Sequence, residues 1–264
     1  MTWVFASPTI LGSGLCVADI QVTTGDHEVF DCLRKLYPME RNLIAGFAGD
    51  VRAGFEMLTA LYYVIHDGAA AGGPVDVERT FERFPKAAAL AFSGLPHENR
   101  EGGSQVLLVG ATHATNALYE SRPMAARFVS PNFSRDEIGA GEWGSIGSGA
   151  DIDAYRQELE ALTSDEARGL MQLEVNAPGG YARTMSFAVV EAVRKMPPVR
   201  GISRHFHTGV VFAHGSQIET SDLTWYDDEG THEIRMPEVA DSWESVQALL
   251  ARLRGRPLSG IAKA

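Results

Sequence analysis

Two kinds of apolar pattern divide this chain into blocks, and their order limits the folds open to it. Short β-forming runs stand early, over Thr2-Trp-Val-Phe-Ala6, Leu15 to Ala18 and Leu43 to Ala48, and late, from His205 to Ala213. Between them apolar residues recur at helical spacing. Val51, Phe55, Leu58, Leu61, Tyr62 and Ile65 predict one helix, and Gly72-Gly73-Pro74 breaks it. A second helix is expected from Val75 to Phe92, with a kink or a division at Pro85. Gln105 to Thr112 reads as a buried strand and Ala117 to Glu120 as its partner, followed by a loop region that ends in the glycine-rich stretch Gly139 to Gly149. Helical spacing returns at Ile152, Tyr155, Leu159 and Leu162, restarts at Ser164-Asp165-Glu166 and runs again from Tyr181 to Met196. Ile218 to Met236 is expected to be a hairpin turning at Asp227 to Gly230, and Val239 to Arg254 an amphipathic helix. Strands grouped at both ends with helices in paired blocks predict sheets stacked on each other and covered outside by helices. No repeat or linker divides the chain, so one domain is expected over 1–264, with a hairpin and helix extension from about residue 215.

Charge narrows the function. The formal net charge is −11 and no basic block occurs, which disfavours nucleic acid and anionic membrane surfaces as partners. No run approaches the ~18 apolar residues of a membrane span. The start also lacks the basic-then-apolar pattern of a secretory leader, so a soluble cytoplasmic protein is expected. Cys16 and Cys32 are too few for a disulfide framework and lack zinc-site spacing; they read as reduced, partly buried thiols.

The chemistry begins at Met1-Thr2. Threonine is small enough for the initiator methionine to be removed, and the freed α-amine, with an ordinary pKa of about 8, can take the proton of its own hydroxyl. Many unrelated chains start this way, so the signal comes from four segments downstream. Ala18-Asp19-Ile-Gln-Val-Thr23, Lys35-Leu-Tyr37, Ile44-Ala-Gly-Phe-Ala-Gly-Asp50 and Ile146-Gly-Ser-Gly149 occur in order. In series they resemble the signature segments of proteasome β subunits and of the bacterial HslV branch, and the Met-Thr-Trp-Val start resembles the Anbu branch. The similarity covers roughly residues 2 to 66 and 105 to 162.

That resemblance implies an α+β fold, the four-layer αββα sandwich of N-terminal-nucleophile hydrolases. It implies a threonine peptidase that needs no cofactor and no metal. Thr2 would be the nucleophile, Lys35 the cation beside its hydroxyl, and Asp19 the carboxylate holding Lys35. Gly46 would offer its N–H to the oxyanion, while Ser148 and Ser203 would hydrogen-bond near the amine. Val22, Thr23, Ile44, Ala48 and Arg52 would border the pocket for the residue before the cut. Peptides or unfolded proteins would be substrates, held inside stacked rings of this chain and fed by an ATP-dependent unfoldase. Lys35 is expected to be surface-like, so that its removal should leave the assembly intact.

Other readings stand beside this one. Asp19 and Thr23 fit a strand end, Gly46 fits a turn, and Ser148 fits an N-cap. Where the family carries an acid three residues before the late serine, this chain has Arg200. That departure favours a catalytically silent assembly protein as one alternative, and a small-molecule amidase is the other. His205 and His207, two apart on a strand, share a face and with His214 could form a metal site.

Overall fold

The computed structural model describes residues 3–10, 13–67, 75–113, 121–150, 152–162, 188, 202–212, 215–227 and 230–255. In chain order the first elements are β1 (Trp3–Ile10), β2 (Ser13–Asp19), β3 (Gln21–Thr23), β4 (Val29–Asp31), β5 (Leu36–Glu40), β6 (Leu43–Gly49), α1 (Val51–His66), α2 (Val77–Ser93) and α3 (His97–Glu101). They are followed by β7 (Ser104–His113), β8 (Ser121–Val129), β9 (Ser134–Ile138), β10 (Gly144–Gly147) and α4 (Asp153–Leu162). The last are β11 (Phe206–Phe212), β12 (Gly215–Glu219), β13 (Leu223–Asp227), β14 (Gly230–Ile234) and α5 (Trp243–Leu253).

Alternation along the apolar strands produces two antiparallel five-stranded sheets, ordered β10-β1-β2-β11-β12 and β5-β6-β7-β8-β9. Val4 and Ala6 of β1, Cys16 and Ala18 of β2 and Val211 of β11 point one way, into a shared core with Ile44, Ala48, Leu107, Val109 and Ala125 of the other sheet. The residues between these in sequence point the opposite way. Leu43, Ala45 and Phe47 of β6, with Val106, Leu108, Ala126 and Phe128, pack instead on Met57, Leu61, Ile65, Phe81, Phe84 and Ala88 of α1 and α2. β6 and β7 are thus buried on both faces, which is why they read as continuous apolar runs. The molecule is mixed α+β, built from antiparallel sheets stacked face to face with two helices over one of them.

Asp50 starts α1 by accepting the Ala53 N–H at 2.8 Å, and Asp76 starts α2 by accepting that of Arg79 at 3.0 Å. Gly54 lets α1 approach the sheet: a Cβ there would lie 2.1 Å from Cδ2 of Phe47, a ring fully enclosed in the core. Gly54→Ala gains about 1 kcal/mol of helix propensity, but overpacking a filled core costs about 1–3 kcal/mol, and so close a contact lies at the upper end. The urea midpoint is expected to fall; an unchanged midpoint would mean that Phe47 moves aside freely.

Several expectations are corrected. The division expected at Pro85 is absent: α2 continues through it as one helix, with Phe81, Phe84, Ala88 and Phe92 burying one face on both sides of it. The partner of β7 is β8, beginning at Ser121, and the expected loop region contains β8 and β9. β12 pairs with β11, so the hairpin is β13-β14 alone and Ile218 lies outside it. Helix α5 begins at Trp243 behind a Ser242–Ser245 capping box, while Ala240 bridges to Leu33. The expected partner at 117–120 and the helix start at Ser164 lie outside the described residues, as does 181–196 except Ala188. No helix among the described residues is long and apolar enough to cross a membrane.

Candidate active site

Asp19 ends β2 with a carboxylate wholly removed from solvent, and every lobe of it is used. Oδ1 accepts the Trp3 N–H at 2.8 Å and the Lys35 ammonium at 2.8 Å. Oδ2 accepts the backbone N–H of Gln21 at 3.1 Å and of Ser203 at 3.2 Å. One side chain thereby ties the start of β1, the entry to β3, the segment before β5 and the approach to β11. Trp3 is held from its other side as well. Its ring lies 4.5 Å from Phe5 and 6.1 Å from Phe206, and a Cβ on Gly149 would lie 2.3 Å from its Cδ1.

Lys35 is 1% exposed, and its Nζ also donates to the Gln21 carbonyl. The expectation of a surface-like lysine is therefore overturned: the ammonium sits in the protein interior, in contact with a buried carboxylate. Burial pulls its pKa below the ordinary lysine range, and the charges of Asp19 and Asp31 oppose that pull only in part. A cation so placed releases its proton more readily than a solvated lysine.

Ser203 is buried, and its Oγ accepts the His205 N–H at 2.9 Å. His205 Nδ1 lies 2.9 Å from Asp31 Oδ2 and 3.3 Å from Ser203 Oγ. A carboxylate only accepts, so Nδ1 carries the proton and donates it to Asp31. Serine and acid meet the same ring nitrogen, which is not the opposed arrangement of a serine relay. Asp31 Oδ1 accepts Gln21 Nε2 at 3.2 Å. Burial raises the Asp31 carboxyl, but hydrogen bonds from His205, Ser203 and Gln21 outweigh it and hold it below the usual carboxylate range.

The structure thus brings Asp19, Lys35 and Ser203 together as the sequence implied. Gly46 stands in mid-strand, paired with Leu36 on one side and Leu107 on the other. A Cβ there would lie 2.8 Å from Val4 Cγ1, which accounts for the glycine by packing alone. Ser148 is exposed in the turn after β10, one register step beyond the Trp3–Gly147 pair. Ile44 and Ala48 are enclosed between the sheets, Val22 packs in the helix-side core, and Thr23 and Arg52 are half-buried. Thr2, Arg200 and His214 lie outside the described residues.

Asp31 carries no signal in the sequence, Gln21 is legible there only as part of the Asp19 segment, and His205 only as a candidate metal ligand. β11 begins at Phe206, after His205. His207 within it is 1% exposed, and among the described residues neither of its ring nitrogens has a partner. Burial, with Arg34 and Lys35 nearby, pushes its pKa down to about 4, so the ring is neutral near pH 7. Among the described residues no three His, Cys, Asp or Glu side chains gather as a metal-ligand set. The chain matches no protein-family model and no curated protein.

Proposed function

We propose that this chain is an N-terminal-nucleophile hydrolase of the αββα type, and that it cuts peptide bonds with Thr2 once Met1 is removed. One observation carries the reading. The Trp3 N–H and the Lys35 ammonium occupy the same oxygen of Asp19, and residue 2 is the residue joined to that Trp3 nitrogen. A buried cation with weakened proton affinity beside a chain start is the setting an amino-terminal hydroxyl nucleophile needs.

In this reading the Thr2 hydroxyl attacks the substrate carbonyl carbon as its proton passes to the α-amine, while Lys35 stabilises the developing alkoxide. The protonated α-amine then gives that proton to the leaving nitrogen as the C–N bond breaks, leaving an ester on Thr2 and the amine neutral. Water attacks the ester as the amine takes its proton, the amine returns that proton to Thr2 Oγ as the ester C–O bond breaks, and the acid product leaves with Thr2 restored. Asp19 orients Lys35, the Gly46 N–H serves the oxyanion, and Ser148 and Ser203 support the amine. Stacked rings of this chain, fed by an unfoldase, would confine the activity.

The test joins mass to reactivity. Mature protein is expected to lack Met1 and to be labelled by a peptide epoxyketone, which reacts with hydroxyl and amine together. Thr2→Ala should lose labelling and at least about 10³-fold in peptide hydrolysis, because the hydroxyl nucleophile is removed while the α-amine stays. Met1 retained in an active preparation would overturn the assignment. Light scattering should give a mass several times 28.6 kDa; a sharp monomer peak would remove the ring and point to a small-molecule amidase. Loss of Met1 and ring assembly without labelling would favour the silent assembly protein, the reading that Arg200 motivates.

A further inference from the structure

The buried Lys35–Asp19 pair does not end at itself. Gln21 reaches both ends of a longer network: its N–H donates to Asp19, its carbonyl accepts from Lys35, and its side-chain amide donates to Asp31. Ser203 makes a second link, with its N–H on Asp19 and its hydroxyl against His205. The two acidic ends differ in exposure. Asp19 and Lys35 are sealed, whereas the side chains of Asp31 and His205 are 27% and 30% exposed. The network therefore runs from a buried ammonium to the solvent through two independent bridges.

We propose that Asp31, fixed by His205, is a positioning residue for Lys35: the solvent-side acid that sets the charge carried by the buried ammonium. The electrostatics follow from the groups that face Lys35. Asp19 on β2 and Asp31 on β4 favour the cation, as does any thiolate at Cys32. Arg34 precedes Lys35 in the chain, and His207 on β11 lies within its field but is held neutral. Asp19 is already consumed by four hydrogen bonds, so among the described residues Asp31 is the second carboxylate whose charge favours the ammonium. Its ordered contacts to His205 and Gln21 keep that charge at one place, which a mobile surface carboxylate would not do.

This rests on the proposed peptidase only for its activity arm. The direct arm follows the Lys35 side chain by NMR in protein labelled with ¹³C or ¹⁵N lysine, through a pH titration. Asp31→Asn removes the charge and keeps one acceptor, for His205 or for Gln21, with its NH2 in place of the other. Lys35 is expected to bind its proton about three- to tenfold more weakly in that variant, because loss of a nearby opposite charge disfavours the charged form. Asp31→Glu should restore part of the affinity. In the activity arm the alkaline limb of the kcat/KM profile, where Lys35 loses its proton, should move down by the same amount.

An unchanged Lys35 titration in Asp31→Asn overturns the proposal, whatever the activity does. A fall in activity with both titration and limb unmoved also overturns it, because that is the signature of a merely structural contact. A shifted titration in protein that hydrolyses nothing upholds the proposal and sinks the peptidase reading alone. Circular dichroism and a urea midpoint confirm that each variant is folded before either arm is read.

Discussion

Methionine in place of Lys35 is expected to cost the fold about 3–5 kcal/mol and to abolish peptide hydrolysis, two losses that a double variant separates. The stability loss arises on the partner. With the ammonium gone, Asp19 keeps its three backbone donors but stands as an uncompensated charge, fully buried. Asn in place of Asp19 removes that charge while leaving an oxygen for the Trp3 N–H. Lys35→Met combined with Asp19→Asn should therefore recover part of what Lys35→Met loses, a positive coupling of the kind a buried pair gives, although the Asn NH2 then faces the Gln21 and Ser203 N–H groups. In a chain of this size each kcal/mol moves the melting midpoint by about 2–4 °C, so the single variant should melt roughly 10 °C low. Activity should not follow. A group that moves or steadies a proton in the reaction contributes about 10²–10⁴-fold, and the recovered double variant still lacks it. Lys35→Arg should fare no better, since its planar fork has no room where a single ammonium meets Asp19 Oδ1 and the Gln21 carbonyl. Turnover returning with stability in the double variant would show that Lys35 serves the fold only.

What the sequence revealed of this arrangement tracked burial. β6 and β7 were legible because both of their faces meet apolar layers, and α1 because its buried residues lie on one stripe. β8 and β9 were not. They lie toward the sheet edge, where Arg127 of β8 stands opposite Asp136 of β9 and the two pair as ions, so the strands carry charge where a buried strand would carry valine. The Pro85 position misled for a related reason: local chemistry argues for a break, and the aromatic face of α2 outweighs it. At the site, Asp19, Lys35 and Ser203 were legible through the ordered motifs. The depth of Lys35 was not, since nothing local distinguishes a lysine folded into a core from one in solvent. The pairing of Asp31 with His205 was beyond reach altogether, because 174 positions separate partners that meet only when β4 and the approach to β11 come together.

Acidification should weaken the fold between pH 6.5 and about 4, and Gln in place of His207 should remove most of that dependence. The sign is set by the depressed pKa. Above pH 6.5 the ring is neutral in folded and unfolded chains alike and contributes nothing to the pH dependence. Below 6.5 the unfolded chain binds a proton that the folded ring refuses, so stability drains away until the folded ring also titrates near pH 4. The span corresponds to at most about 3.5 kcal/mol, at about 1.4 kcal/mol for each unit of pKa. The physical cause is enclosure: a protonated ring would sit 1% exposed, with no acceptor among the described residues and the cations Arg34 and Lys35 facing it. Asp31 does not confuse the window, because its carboxyl is held below the usual range and acts only at lower pH. Urea midpoints of wild type and His207→Gln, taken at half-unit steps from pH 7.5 to 4.5, give two slopes whose difference cancels the remaining titrations. Parallel slopes would mean that the ring accepts its proton in the folded state and would remove the assignment.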